Sequence, residues 1–107
     1  MSTINVDAPI ITLVNVFTVP AEHQHQLIDL LVRATDDTMR HLPGFISANI
    51  HAGLDGTHVV NYAQWRSEDD FKAMLGNTKA RGHMDGVSAL GAKAEPGLYK
   101  VVSTHPR

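Results

Sequence analysis

No cysteine occurs in the 107 residues. That excludes a disulfide framework and any thiolate-held metal, and it fits a reducing compartment. Aromatic residues are scarce as well: three Phe, two Tyr and a single Trp. Neither charge sign is in large excess. Nine Lys and Arg stand against eleven Asp and Glu, a net charge of −2 with histidine neutral. The bases, among them Arg33, Arg40, Lys72, Lys79, Arg81, Lys93 and Lys100, are scattered rather than gathered in the stripe of a nucleic-acid reader, so no nucleic-acid partner is expected. Apolar runs are too short to span a bilayer, and MSTINVDAPI lacks the basic stretch and apolar core of a signal peptide. A single soluble domain over residues 1–107, cytoplasmic and without a membrane partner, is expected.

Motifs for several chemistries are missing too. No Gly-rich phosphate loop follows a strand, and Ser47 and Ser88 lack a nucleophile-elbow context. His23 and His25 lie two apart on a helical segment and do not share a face, so no metal site is expected.

What is present reads as alternating strands and helices. Ile10–Val19 (IITLVNVFTV) is rich in β-branched residues and apolar on both parities, as a strand covered on both faces would be. After Pro20, the segment AEHQHQLIDLLVRATDDTMRHL carries Leu27, Leu30, Leu31, Ala34, Thr38 and Leu42 at helical spacing. Pro43-Gly44 ends it. Phe45–Ala52 and Thr57–Trp65 read as strands joined through Asp55-Gly56. Ser67 caps a short helix with Phe71, Met74 and Leu75 on its apolar side, and Gly76 closes it. Asn77 caps a further helix, Thr78 to about Leu90, which Gly82 and Gly86 should weaken and loosen. Gly91–Gly97 reads as a loop and Leu98–Thr104 as the last strand.

The order β-α-β-β-α-β predicts an α+β, ferredoxin-like sheet with its helices on one face. The other face, with Ile46, Ile50, Val60 and Tyr62, would be too apolar to stay bare, so a homodimer is expected. The hairpin register decides what the helix-side face holds. A two-residue Asp55-Gly56 turn sets Ile50 opposite Asn61. A three-residue Leu54-Asp55-Gly56 loop sets Asn49 opposite Asn61 and His51 opposite Val59. The second option gathers Ser47, Asn49, His51, Asn61 and Trp65 on one face beneath Phe71 and near Arg81–His83, and it is the expectation adopted. A cavity walled by Trp and Phe, with amides and an imidazole, suits a flat, partly polar ligand. Taken singly, a strand Asn is more often a backbone-bonding edge residue, and a lone Trp is more often core.

The run Pro43–Phe71, PGFISANIHAGLDGTHVVNYAQWRSEDDF, resembles the central segment of the antibiotic biosynthesis monooxygenases, which are dimeric α/β-barrel proteins. Within that family it is most similar to the quinone-forming monooxygenases of aromatic polyketide pathways. The rest of the chain matches only in pattern. The resemblance implies oxidation of a small phenolic or anthrone-like substrate by O2 as co-substrate, with no cofactor. It assigns catalytic roles to Asn61 and Trp65, and substrate-binding roles to His51, Asn49 and Phe71. The family's site arginine falls at Asp85, and Arg81, one helical turn earlier, is its stand-in. Phe71 and Ile50 stand where the actinorhodin-pathway member has Tyr. Two other readings share the fold. A haem-degrading enzyme would use Asn15, Trp65 and an axial histidine near position 75, which is Leu. A non-catalytic ligand-binding dimer would need none of this chemistry.

Overall fold

Strand β1 (Ile11–Thr18) forms where β-branched and apolar side chains alternate across the chain axis. In the computed structural model, which describes residues 2–107, it lies inside a four-stranded antiparallel sheet ordered β2-β3-β1-β4. The other strands are β2 (Phe45–Ala52), β3 (His58–Trp65) and β4 (Lys93–Tyr99). Helices α1 (Gln24–Asp37), α2 (Glu68–Leu75) and α3 (Thr78–Ala89) cover one face. This is the ferredoxin-like arrangement expected from the element order. No helix among the described residues is long and apolar enough to cross a membrane.

Four sequence expectations need correction. The segment from Ala21 to Leu42 is not one helix. It has 3-10 turns at Ala21–His23 and Met39–His41, and α1 stops at Thr38, whose φ of −128° and ψ of −63° leave the helical range. Helix α3 runs unbroken through Gly82 and Gly86. Gly86 has a packing reason: a Cβ there would sit 2.8 Å from Leu30 Cδ1, so glycine lets α3 close on α1. Strand β4 begins at Lys93 and ends at Tyr99, earlier than expected at both ends. Its Lys, Glu, Pro and Gly read as a loop, yet an edge strand tolerates Pro96 because it pairs on one side only.

The fourth correction is the hairpin register. Ile50 pairs with Asn61, His51 with Val60 and Asn49 with Tyr62. Gly53 N–H donates to His58 O at 2.7 Å, and Gly56, at φ +80°, turns the chain between them. The rejected register is therefore the real one over Ser47–Ala52. A bulge between Phe45 and Ser47 absorbs one residue, so Phe45 still faces Trp65.

The β3–α2 corner fixes the end of the site. Arg66 N–H donates to Gly44 O at 2.7 Å, and Gly44 holds φ +83° directly against Asp70, where no Cβ would fit. Ser67 Oγ accepts from Asp70 N–H at 3.1 Å, and the Arg66 guanidinium grips the Asp70 carboxylate at 2.8 and 2.9 Å. The Arg66 bonds, then the Ser67 hydroxyl, hold the Asp70 carboxyl below the usual carboxylate range. Its stabilising effect is thus present at neutral pH and is lost as acid protonates it. Ser67→Ala should lower unfolding free energy by about 1 kcal/mol, read from urea midpoints, with the slope unchanged.

Candidate active site

The helix-covered face carries two separate apolar clusters. Leu13, Ala63, Trp65, Phe71, Met74 and Ala80 form one; Phe17, Val19, Leu27, Val59 and Val87 form the other. Along β1 the inward residues run Leu13, Asn15, Phe17, and along β3 they run Val59, Asn61, Ala63, Trp65. The two asparagines therefore stand where the clusters part. They are directly paired across the strands, which sets their Cβ atoms about 5 Å apart. A cavity of about 440 Å3 opens above them, within the range of about 300–1,000 Å3 usual for small-molecule sites.

Both Asn15 Oδ1 and Asn61 Oδ1 are fully buried and lack any hydrogen-bond partner among the described residues. Buried amides are normally satisfied, and an orphaned one costs roughly 1–3 kcal/mol. Asn15 and Asn61 are themselves only half-buried and both line the cavity, so their amides form a polar spot on its floor. An amide can accept from a phenol O–H through its oxygen and donate to a phenolate or carbonyl through its NH2.

Trp65, 2% exposed, closes one end. Phe45 and Phe71 meet it edge-on, with centroids at 5.6 and 6.1 Å and interplanar angles of 87° and 76°. The remaining wall is largely aliphatic, from Leu30 and Leu31 on α1 to Met84 and Val87 on α3. The described residues contain no group of three or more His, Cys, Asp or Glu able to hold a metal.

Of the residues singled out from sequence, Asn61, Trp65 and Phe71 meet in this cavity. Asn49 and His51 do not; the true register turns them to the opposite face. There, Asn49 Nδ2 donates to Tyr62 O at 3.0 Å, and the exposed His51 ring bonds Asn49 O at 3.1 Å. Ser47 joins them on that face and bonds Gln64. Arg81 is exposed on α3, outside the cavity wall. Ile50, expected on the bare face, instead packs with the Phe17 cluster. Asn15 completes the pair, a position the sequence ties only to the haem alternative. An Asn sharing parity with Leu13 and Phe17 inside ITLVNVFT was the available signal.

Sheet order, one-sided helices and an amide-floored apolar cavity make this a small-molecule site on a ferredoxin-like fold. Residues 10–85 match the antibiotic biosynthesis monooxygenase family, and the chain belongs to that family; it is a monooxygenase. It is 52% identical over 85 residues to tetracenomycin-F1 monooxygenase of Streptomyces glaucescens, covering 79% of this chain and 76% of that protein. SnoaB of Streptomyces nogalater, a cofactor-independent oxygenase, superposes with a TM-score of 0.79 at 26% identity, over 94% of this chain and 100% of its own. The ActVA-Orf6 monooxygenase of Streptomyces coelicolor, solved with nanaomycin D, gives 0.75 at 27% identity, over 94% of this chain and 93% of its own.

Proposed function

We infer that the protein oxidises a phenolic or anthrone-like multi-ring compound to a quinone with O2, without flavin, metal or nicotinamide, acting as a homodimer in the cytoplasm. The observation that carries this reading is the paired Asn15–Asn61 amides on the floor of an aromatic-ended apolar cavity. The likeness to a tetracenomycin-F1 monooxygenase and to an enzyme that holds nanaomycin D supports the substrate class.

The substrate would lie between Trp65 and the Phe17 end, its oxygen over the amides. Loss of a proton makes it an electron-rich enolate or phenolate. Amide N–H groups stabilise that oxyanion in a water-poor site, where such bonds count for more than in water. The anion gives one electron to O2, the radicals combine as a peroxide, and loss of water leaves the quinone. Asn61 serves as the principal oxyanion donor, Asn15 as its neighbour, Trp65 as the ring wall and Phe71 as its buttress. The test is product analysis by mass spectrometry on a panel of tetracenomycin F1, anthrones and naphthols, with a chelator present. Quinone formation supports the reading; binding without any product turns the protein into a ligand carrier.

The homodimer rests on the outer sheet face. Val60 and Tyr62 lie half-buried in a shallow depression with Ile4, and Ile46 and Tyr99 are 46% and 57% exposed. Residues 2–4 already fold over one end of this face, where Thr3 O accepts from Gln64 Nε2 at 2.8 Å. Light scattering should give twice the chain mass, and Val60→Asp should reduce it to one chain. A wild-type monomer at micromolar concentration contradicts the dimer.

A further inference from the structure

Among the described residues, one ionisable side chain lines the cavity: His83, on α3. No other wall residue from the sheet or the helices carries a titratable group; the polar ones are Asn15, Asn61, Thr35 and Ser88. His83 is half-buried, and its Nε2 lies 3.0 Å from Oγ1 of Thr38, which is itself 6% exposed. Thr38 sits where α1 ends, its own N–H held by Ala34 O at 3.1 Å, so its backbone is fixed beside His83. Among the described residues none bonds His83 Nδ1. The charged groups nearest in the chain face elsewhere: Asp37 and Lys79 line a separate surface groove with His41, and Arg81 and Asp85 are exposed.

We propose that His83 is the catalytic residue that takes and returns the protons of the oxidation, and that Thr38 is its positioning residue. The proposal rests on the monooxygenase reading above. A hydroxyl accepting from Nε2–H leaves Nδ1 with its lone pair facing proton transfer, and the bond persists when the ring is protonated. The steps balance. Nδ1 takes a proton from the substrate, and the resulting anion passes one electron to O2. Radical recombination forms a C–O bond, and the imidazolium returns its proton to the peroxide anion. Neutral His83 then takes the remaining C–H proton as the C=O forms and the O–O bond breaks. The departing hydroxide collects that proton as water, which leaves His83 neutral. Per turnover, a CH2 and O2 become a C=O and H2O.

This assignment also accounts for a feature of the site: with Phe71 and the displaced Ile50, no phenol lines the wall, so proton transfer has one candidate. The experiment is a pH profile of kcat/KM for quinone formation by wild type, His83→Gln (H83Q) and Thr38→Val (T38V). Wild type should lose activity on the acid side through one ionisation. H83Q should fall about 100-fold or more in kcat and lose that acid limb, while quinone binding, read by quenching of Trp65, stays within about twofold. T38V should fall about tenfold in kcat with KM within about twofold of wild type, because the ring loses the hydroxyl that orients it. Quinone formation by H83Q at wild-type rate, or an acid limb retained in it, overturns the proposal and leaves the monooxygenase reading intact. Should H83Q not fold, T38V decides alone, and a wild-type kcat in it overturns the proposal. No product from wild type overturns both.

Discussion

Asn61→Ala should lower kcat/KM for quinone formation by about 100- to 1,000-fold, the usual loss for one oxyanion donor. The same substitution should not destabilise the fold. The Asn61 oxygen is buried and makes no hydrogen bond to the described residues, so the side chain supplies no bond that holds the fold together. Truncation breaks no such bond and leaves a smaller side chain at the edge of an existing cavity. Unfolding free energy is therefore expected to hold or to rise by about 1 kcal/mol. Opposite signs for activity and stability mark a side chain kept for its chemistry. Asn15→Ala should behave alike in stability. Calorimetry alongside steady-state rates checks both, and a clear drop in stability with unchanged rates would make the pair structural.

Trp65 should behave in the reverse way. Trp65→Ala removes a residue that is 2% exposed and holds two aromatic neighbours edge-on, and it should cost about 3–5 kcal/mol in urea unfolding. Trp65→Phe keeps most of that burial but shortens the ring that closes the cavity. Its stability should stay within about 2 kcal/mol of wild type, while quinone formation falls by tenfold or more. The comparison separates the structural share of Trp65 from its share in substrate placement. Equal rates in wild type and Trp65→Phe would remove Trp65 from the site.

The sheet and its helices were legible because periodicity carries them: β-branched alternation for β1 and β3, helical spacing for α1, and capping Ser67 and Asn77 for α2 and α3. Ser67 Oγ does accept from Asp70 N–H, and Asn77 Oδ1 from Ala80 N–H. Asn61 and Trp65 share a parity on one strand, so their common face needed no tertiary information. The partners on β2 were not legible. Whether Asn49 and His51 face the cavity turns on a one-residue difference in register, and Gly53–Thr57 permits both loops. The bulge beside Ile46 then restores the Phe45–Trp65 pairing, a local compensation that no pattern announces. Strand β4 was hidden because KAEPGLY has turn chemistry, and only pairing with β1 makes it a strand. His83 was placed near the site by the sequence, but its neighbour Thr38, 45 positions away and ending its helix beside it, was not.

The fold also explains why the amide pair is stable enough to exist. Two clusters of apolar residues hold the sheet on either side of Asn15 and Asn61, so the unsatisfied pair sits within a rigid frame. The Gly44–Asp70 corner pins Trp65 at one end, and Gly86 lets α3 lie close over Leu30 near the other. Such a frame keeps amides aimed at a guest before it arrives, which is the condition for stabilising charge as it develops.

Turnover under 18O2 of the substrate that the panel identifies, with purified protein and a chelator, tests the central claim most directly. The account requires one quinone formed per O2 consumed, one 18O atom in each quinone, and loss of that product in Asn61→Ala. A quinone that carries no 18O, or a yield unchanged by Asn61→Ala, would contradict it.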